Sequence, residues 1–311
     1  MRKLIVPIFS MRSYETGLYS VLKDGNFQLH LSRAKAGDVI TIPTAIADYD
    51  ELKSLFPELV YIQVPYMKNA YETRKSFWKC NREKISKIIT FLDCDLVVTD
   101  ITGYFGKVPI IFNFNITADP DNPRPYIDEF LQADVASTIL SQRTFVLNQC
   151  QKDVLVENGA PVDKIVVCQK VVNPAVIDRY LSDNDEVIHI GGGGTIFHPF
   201  RISDKCYDFD AVVEKSMATK NGAVFVTDPN DTFDRSKYPE RAVIRNINLS
   251  KQDYYRVLIG QPKIVYNENP QKVFHPGLAE LIYFDANIES EYIMPLYDDV
   301  VIENGEDVWL S

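Results

Sequence analysis

The sequence predicts an α/β protein of two domains, each organised around a parallel sheet. Three observations carry that expectation. Short apolar runs alternate with stretches of helical periodicity along most of the chain, the pattern of strands joined by crossover helices. A polar, acidic segment without aromatic residues, Ser182-Asp183-Asn184-Asp185-Glu186, interrupts that alternation. The chain's 311 residues, 46% of them hydrophobic, suffice for two buried cores. The expected domains are therefore 1–182 and 183–311, the second including a C-terminal tail.

In the first domain, apolar and β-branched runs predict strands at Leu4–Phe9, Val39–Ile42, Leu59–Val64, Leu96–Thr99, Val108–Asn113 and Ile165–Cys168. Between them, Tyr71–Phe91 has Phe77, Ile85, Ile88 and Ile89 spaced for one helical face and an otherwise polar surface. The second domain is expected to open with a strand at Val187–Ile190 that runs into Gly191-Gly192-Gly193-Gly194-Thr195. Further strands are expected at Ala223–Thr227, Ala242–Ile244, Ile264–Tyr266 and Ala286–Ile288.

Composition narrows the function classes. A formal charge of −10 opposes a protein whose whole surface coats a polyanion, while leaving room for a local basic groove. Five cysteines without a CxxC pair suggest neither a disulfide framework nor a zinc knuckle. The apolar runs are too short to span a bilayer and the start reads as a first strand, so the expected location is the cytoplasm.

Four consecutive glycines let a backbone approach a ligand closely, and successive N–H groups there can cradle phosphate. No Gly-Lys-Ser/Thr follows, which excludes a Walker loop, and the GxGxxG spacing is missing. A flexible connector is the competing reading. The neighbourhood favours phosphate: Thr195, His198 and Arg201 bring a hydroxyl, an imidazole and a guanidinium within seven residues. Arg201 is suited to a diphosphate and to the charge that grows on a departing nucleotide, or else to pairing with Asp204 or Asp208. Further on, His275-Pro276-Gly277-Leu278-Ala279-Glu280 reads as a loop entering an apolar helix. The glycine run (Gly192, Gly193, Gly194), Thr195, His198, Arg201, His275, Gly277 and Glu280 thus form the expected donor site. Glu280 would accept the 2′- and 3′-hydroxyls of a ribose, or simply compensate the helix dipole.

These pieces, in this order, resemble the GT-B glycosyltransferases, and among them the bacteriophage DNA glycosyltransferases that act on hydroxymethylated cytosine, such as β-glucosyltransferase. The likeness rests on Gly192-Gly193 with Arg201 behind it, Tyr238-Pro239, Leu258-Ile259-Gly260 and Glu280-Leu281-Ile282-Tyr283-Phe284-Asp285-Ala286. Ser13-Tyr14-Glu15-Thr16 and Thr99-Asp100-Ile101 add a fainter match in the first domain. The resemblance implies two Rossmann-like domains facing across a cleft, a UDP-sugar donor held by the second, a glutamate on the ribose, arginines on the diphosphate and an acidic general base on the first. It departs from the family where a second arginine would follow the glycine turn, and in lacking a long C-terminal helix. No tightly bound cofactor or metal is implied; a divalent cation would only assist diphosphate release.

Sugar transfer needs a base to deprotonate the acceptor hydroxyl, and a carboxylate in a cleft beyond strand ends serves. Asp100, Glu15 and Asp119 qualify in that order, each with an alternative as a helix cap or turn residue. For the acceptor, the segment Lys68–Lys87 concentrates positive charge beside aromatic residues; Arg74, Lys75, Trp78, Lys79 and Arg82 are candidates for gripping duplex DNA with modified bases, or form a solvated helix face. Three rivals stand: a GT-B enzyme with a glycan, lipid or small-molecule acceptor, a noncatalytic nucleotide-sugar-binding module, and an epimerase of the same fold. Which sugar is moved, and the oligomeric state, leave no mark in the sequence.

Overall fold

The computed structural model describes residues 1–9, 19–66, 81, 83–100, 110–113, 127–146, 148–167, 170–181, 186–200, 202, 207–227, 233–268, 276–291 and 300–302. The chain forms two compact units, one holding Met1–Asn173 and the other Pro174–Pro270 with Gly277–Val301.

The first unit is a seven-stranded, wholly parallel sheet. Its strands are β1 (Lys3–Val6), β2 (Val39–Pro43), β3 (Val60–Val64), β4 (Leu96–Thr99), β5 (Ile110–Asn113), β6 (Arg143–Val146) and β7 (Ile165–Val167). They lie in the order β3-β2-β1-β4-β5-β6-β7. β1, β2 and β4 are buried at every position, as a sheet covered on both faces requires, which is why they read as continuous apolar runs. Helices α1 (Gly25–Arg33), α2 (Tyr49–Leu55), α3 (83–91), α4 (Ile127–Leu140) and α5 (Gln149–Glu157) connect them. Ile85, Ile88 and Ile89 of α3 pack on Leu4, Val6, Val39, Val64 and Val97, so three of the four apolar positions expected on that helix face the sheet; Phe77 lies outside the described residues. At the amino ends of the strands, Lys3 is buried in a sheet interior and paired with Asp38, whose carboxylate also accepts the backbone N–H groups of Lys3 and Lys35 at 3.0 and 2.9 Å.

The second unit begins with the single turn α6 (Pro174–Ile177) and carries β8 (Ile196–His198), β9 (Val224–Val226), β10 (Ile244–Asn246), β11 (Lys263–Val265) and β12 (Asn287–Glu289). β10, β9 and β8 form one parallel sheet and β11 and β12 a parallel pair that packs alongside β8. Phe200 and Tyr266, each just past the carboxyl end of its strand, bring their tilted rings to 5.2 Å, so β8 and β11 run the same way. Helices α7 (Phe209–Met217), α8 (Lys251–Ile259) and α9 (Pro276–Tyr283) complete the unit, with Phe209, Val212 and Val213 of α7 buried against Ile196, Val224 and Val226.

One strand expectation is corrected. Val187–Ile190 is not a strand: Val187 is 39% exposed and His189 is exposed, and the backbone link from Ile188 runs to the Arg256 carbonyl on α8 and not to a sheet. The first strand of the unit follows the glycines, where the three fully buried residues Ile196, Phe197 and His198 hydrogen-bond alongside β9. β10 is also shifted two residues from its expected start, because Ala242 is consumed by a turn onto the Pro239 carbonyl.

Candidate functional site

Both units show the same reversal of strand order. In the first, the chain builds β1, β2 and β3 outward in one direction and returns to place β4 on the other side of β1; in the second, β8, β9 and β10 are followed by a return to β11 beside β8. Crossover connections leave in opposite directions at such a point, opening a crevice beyond the carboxyl ends of the two central strands. The crevices to inspect are therefore at β1/β4 and at β8/β11.

At β1/β4, the last β4 pairing extends into Asp100, whose N–H reaches the Val6 carbonyl. The Asp100 side chain is completely buried. Its Oδ2 accepts the Ile8 amide at 3.2 Å and lies 2.7 Å from Nε2 of His30, itself 1% exposed, on α1. His30 is held by the way α1 begins. Asp24 accepts the Phe27 N–H at 3.1 Å and bonds the Tyr19 hydroxyl, in the manner of an N-terminal cap. Asp48 pins the approach by accepting from Ser20 Oγ, Val21 N and Leu22 N at 2.6, 3.1 and 2.8 Å. Tyr66 closes the floor: its hydroxyl donates to the Pro7 carbonyl at 2.8 Å and lies 3.0 Å from Thr41 Oγ1. Burial, reinforced by the charges of Asp100 and Asp24, pushes the Tyr66 phenol far above its ordinary value, so it stays a neutral donor. A buried carboxylate with an imidazole against it is an arrangement able to take and hold a proton. Of the three expected bases, Glu15 and Asp119 lie outside the described residues.

The second unit treats its expected donor residues unequally. The glycine bend closes with Thr195 N donating to the Gly192 carbonyl at 3.0 Å. Gly191 and Gly194 have φ of +67° and +99°, and a Cβ at either would strike Thr195 or Thr219 side chains at 2.3 Å, so glycine is required at both. Gly192 and Gly193 face open space. The bend, however, feeds the amino end of β8, the edge opposite the crevice. The expected donor residues Gly192, Gly193, Gly194 and Thr195 therefore lie at that amino edge. Arg201 and His275 lie outside the described residues, as do Arg74, Lys75, Trp78, Lys79 and Arg82.

His198 ends β8 with no exposed surface, its ring 5.4 Å from Phe200 and 5.1 Å from Phe209. Among the described residues neither ring nitrogen has a hydrogen-bond partner, and burial drives its pKa down to about 3. In this arrangement the imidazole is a neutral core residue and does not present itself to a ligand. Around it, Phe200 and Tyr207 stack at 4.9 Å, Tyr266 follows β11, and the buried Glu268 accepts the Tyr266 hydroxyl at 3.4 Å. Gly277 is the second residue of α9 and Glu280 lies one turn on. The Glu280 carboxylate, 12% exposed, receives Lys251 Nζ at 2.8 Å on both oxygens and the Tyr255 hydroxyl at 2.8 Å on Oε1.

Sequence reasoning missed His30, Lys251, Tyr255 and Glu268. His30 is 70 residues from its partner and belongs to no motif; its one signal is that it lies in the first helix after β1, on the path to the β1/β4 crevice. Among the described residues no group of three or more His, Cys, Asp or Glu could hold a metal ion, and no helix is long and apolar enough to cross a membrane.

No family model matches the chain, and no curated protein matches it. Solved structures do. HepE from Anabaena in complex with UDP-glucose is similar over 99% of this chain and 87% of its own, with a TM-score of 0.64 at 8% identity. UDP-GlcNAc 2-epimerase from Neisseria meningitidis bound to UDP-GlcNAc covers 96% of this chain and 85% of its own, with a TM-score of 0.54 at 13% identity. The S. aureus MnaA–UDP co-structure covers 93% and 78%, again with a TM-score of 0.54 at 13% identity. The fold is of the GT-B class. At these identities the likeness establishes the GT-B architecture and leaves the chemistry to the residues of each site.

Proposed function

We propose that the chain is a glycosyltransferase that takes a sugar from a UDP-linked donor and passes it to an acceptor hydroxyl. The observation that carries the reading is the Asp100 carboxylate at the β1/β4 crevice, fully buried and held by His30 and the Ile8 amide. Support for the donor comes from the GT-B fold shared with structures solved with UDP, UDP-glucose and UDP-GlcNAc. In the reaction, Asp100 accepts the proton of the acceptor hydroxyl while its oxygen attacks the sugar's anomeric carbon. The bond from that carbon to the β-phosphate oxygen breaks, and UDP leaves with the electron pair. Arg201 compensates the charge on the departing diphosphate. His30 fixes the Asp100 carboxylate and shares the proton.

Two acceptor readings have separate support. Arg74, Lys75, Trp78, Lys79 and Arg82, cationic and aromatic together, favour a hydroxymethylated base in duplex DNA, with the phage enzymes as the family resembled. The net charge of −10 favours a glycan or small-molecule hydroxyl. The test is a panel of UDP-sugars against modified DNA and simple glycosides, with UDP affinity and product mass as readouts. Asp100→Asn is expected to bind UDP as the wild type does and to lose transfer by roughly 100-fold to 10,000-fold, whereas Arg201→Ala is expected to weaken UDP. The reverse pattern overturns the roles. Transfer to DNA that falls steeply with added salt selects the first acceptor, and indifference to salt selects the second.

A further inference from the structure

Lys251 is the first residue of α8, a position from which a lysine normally reaches into water, and a cation there faces the unfavourable positive end of the helix dipole. Here its side chain is 6% exposed. The ammonium lies 4.8 and 4.6 Å from the ring centroids of Tyr254 and Tyr255, and meets both Glu280 oxygens at 2.8 Å. Tyr255, itself buried, adds its hydroxyl to Oε1. Ser250 caps α8 by accepting the Asp253 N–H at 3.0 Å, so the helix start that carries the lysine is itself fixed.

An ionised carboxylate offers about four lone-pair positions, two on each oxygen. Lys251 takes one on each, and Tyr255 takes the second on Oε1. One position remains, on Oε2. We propose that Lys251 and Tyr255 are positioning residues that leave Glu280 able to accept a single ribose hydroxyl, so that the donor site reads one hydroxyl of the nucleotide sharply and is nearly blind to its neighbour. This rests on the reading of Glu280 as the ribose contact of a UDP donor, and replaces the expected grip on the 2′- and 3′-hydroxyls together.

The experiment compares UDP, 2′-deoxy-UDP and 3′-deoxy-UDP by calorimetry on the full chain. The wild type should lose roughly 10-fold or more in affinity for one deoxy analogue and stay within about 2-fold for the other. Lys251→Met frees the carboxylate to swing and should erase that contrast, while Lys251→Arg should restore it. Tyr255→Phe removes only a hydroxyl, keeps the ring packing, and opens the second position on Oε1, so the second analogue should now lose affinity as well. Equal losses for both analogues in the wild type, or a contrast unchanged in Lys251→Met and in Tyr255→Phe, would overturn the inference while leaving the donor reading intact. If Glu280→Gln binds all three nucleotides as the wild type does, the donor reading of Glu280 fails first.

Discussion

Replacing His198 by Phe should make the protein more resistant to acid, by an amount the structure sets. His198 is fully buried between aromatic rings, without a hydrogen-bond partner among the described residues, and burial lowers its pKa from 6.5 to about 3. The folded state therefore keeps the ring neutral through a pH range in which the unfolded chain protonates it. Stability is fully present above pH 6.5 and is lost as the pH falls toward about 3, because only the unfolded state gains the proton. From pH 8 to pH 5 the loss is about 2 kcal/mol from this one residue, and it reaches no more than about 5 kcal/mol at the acid limit. Phe in its place has no titration and keeps a ring against Phe200 and Phe209. It also removes two polar atoms that have no partner, which is neutral or stabilising by about 1 kcal/mol at pH 8. Urea denaturation followed by far-ultraviolet circular dichroism at pH 8, 6.5 and 5 measures both chains. All other titrating groups are common to the two and cancel, so the gap between variant and wild type should widen by about 2 kcal/mol. Curves that stay parallel to within about 0.5 kcal/mol would show that His198 finds a proton acceptor or water in solution, and the reasoning would fail.

Asp38→Ala should cost about 3–5 kcal/mol, since it removes the carboxylate that pairs with the buried Lys3 ammonium and accepts two backbone amides; a loss below about 1 kcal/mol in the same denaturation assay would mean that Lys3 is held by other partners or escapes to solvent. The glycines divide cleanly. Gly222→Ala drives a Cβ to 1.9 Å from the Ser216 carbonyl oxygen and should lower stability by about 2 kcal/mol or more, whereas Gly192→Ala meets nothing within 4 Å and should change the melting temperature little. Equal effects at the two positions would contradict the backbone geometry of the bend.

Much of the architecture is legible because a parallel sheet writes itself plainly. Strands such as Val39–Pro43 and Leu96–Thr99 are buried on both faces and have no polar positions to spare except those, like Thr41 and Thr99, whose hydroxyls bond backbone carbonyls. Illegible elements are those in which polar atoms are satisfied locally. β6 opens with Arg143 and Thr144, and the buried Thr144 hydroxyl is paired with Ser141 at 3.0 Å, so the segment lacks the apolar run that marks the other strands. β8 is three residues long and stands behind four glycines, while Val187–Ile190 has a strand's composition without a partner strand. Composition records what a segment tolerates; pairing depends on what lies beside it.

The sites show the same division. Asp100 is recognisable as a carboxylate at a strand end, but the imidazole against it sits 70 residues away on a helix. In the proposed reaction the imidazole at 2.7 Å gives the Asp100 carboxylate a second partner beside the Ile8 amide. Glu280 presents the opposite case: a lysine and a tyrosine occupy most of its accepting capacity. Two acidic residues that look alike in the sequence are thus given different partners, an imidazole and a backbone amide for Asp100 and a lysine and a tyrosine for Glu280, by neighbours that only the fold brings to them.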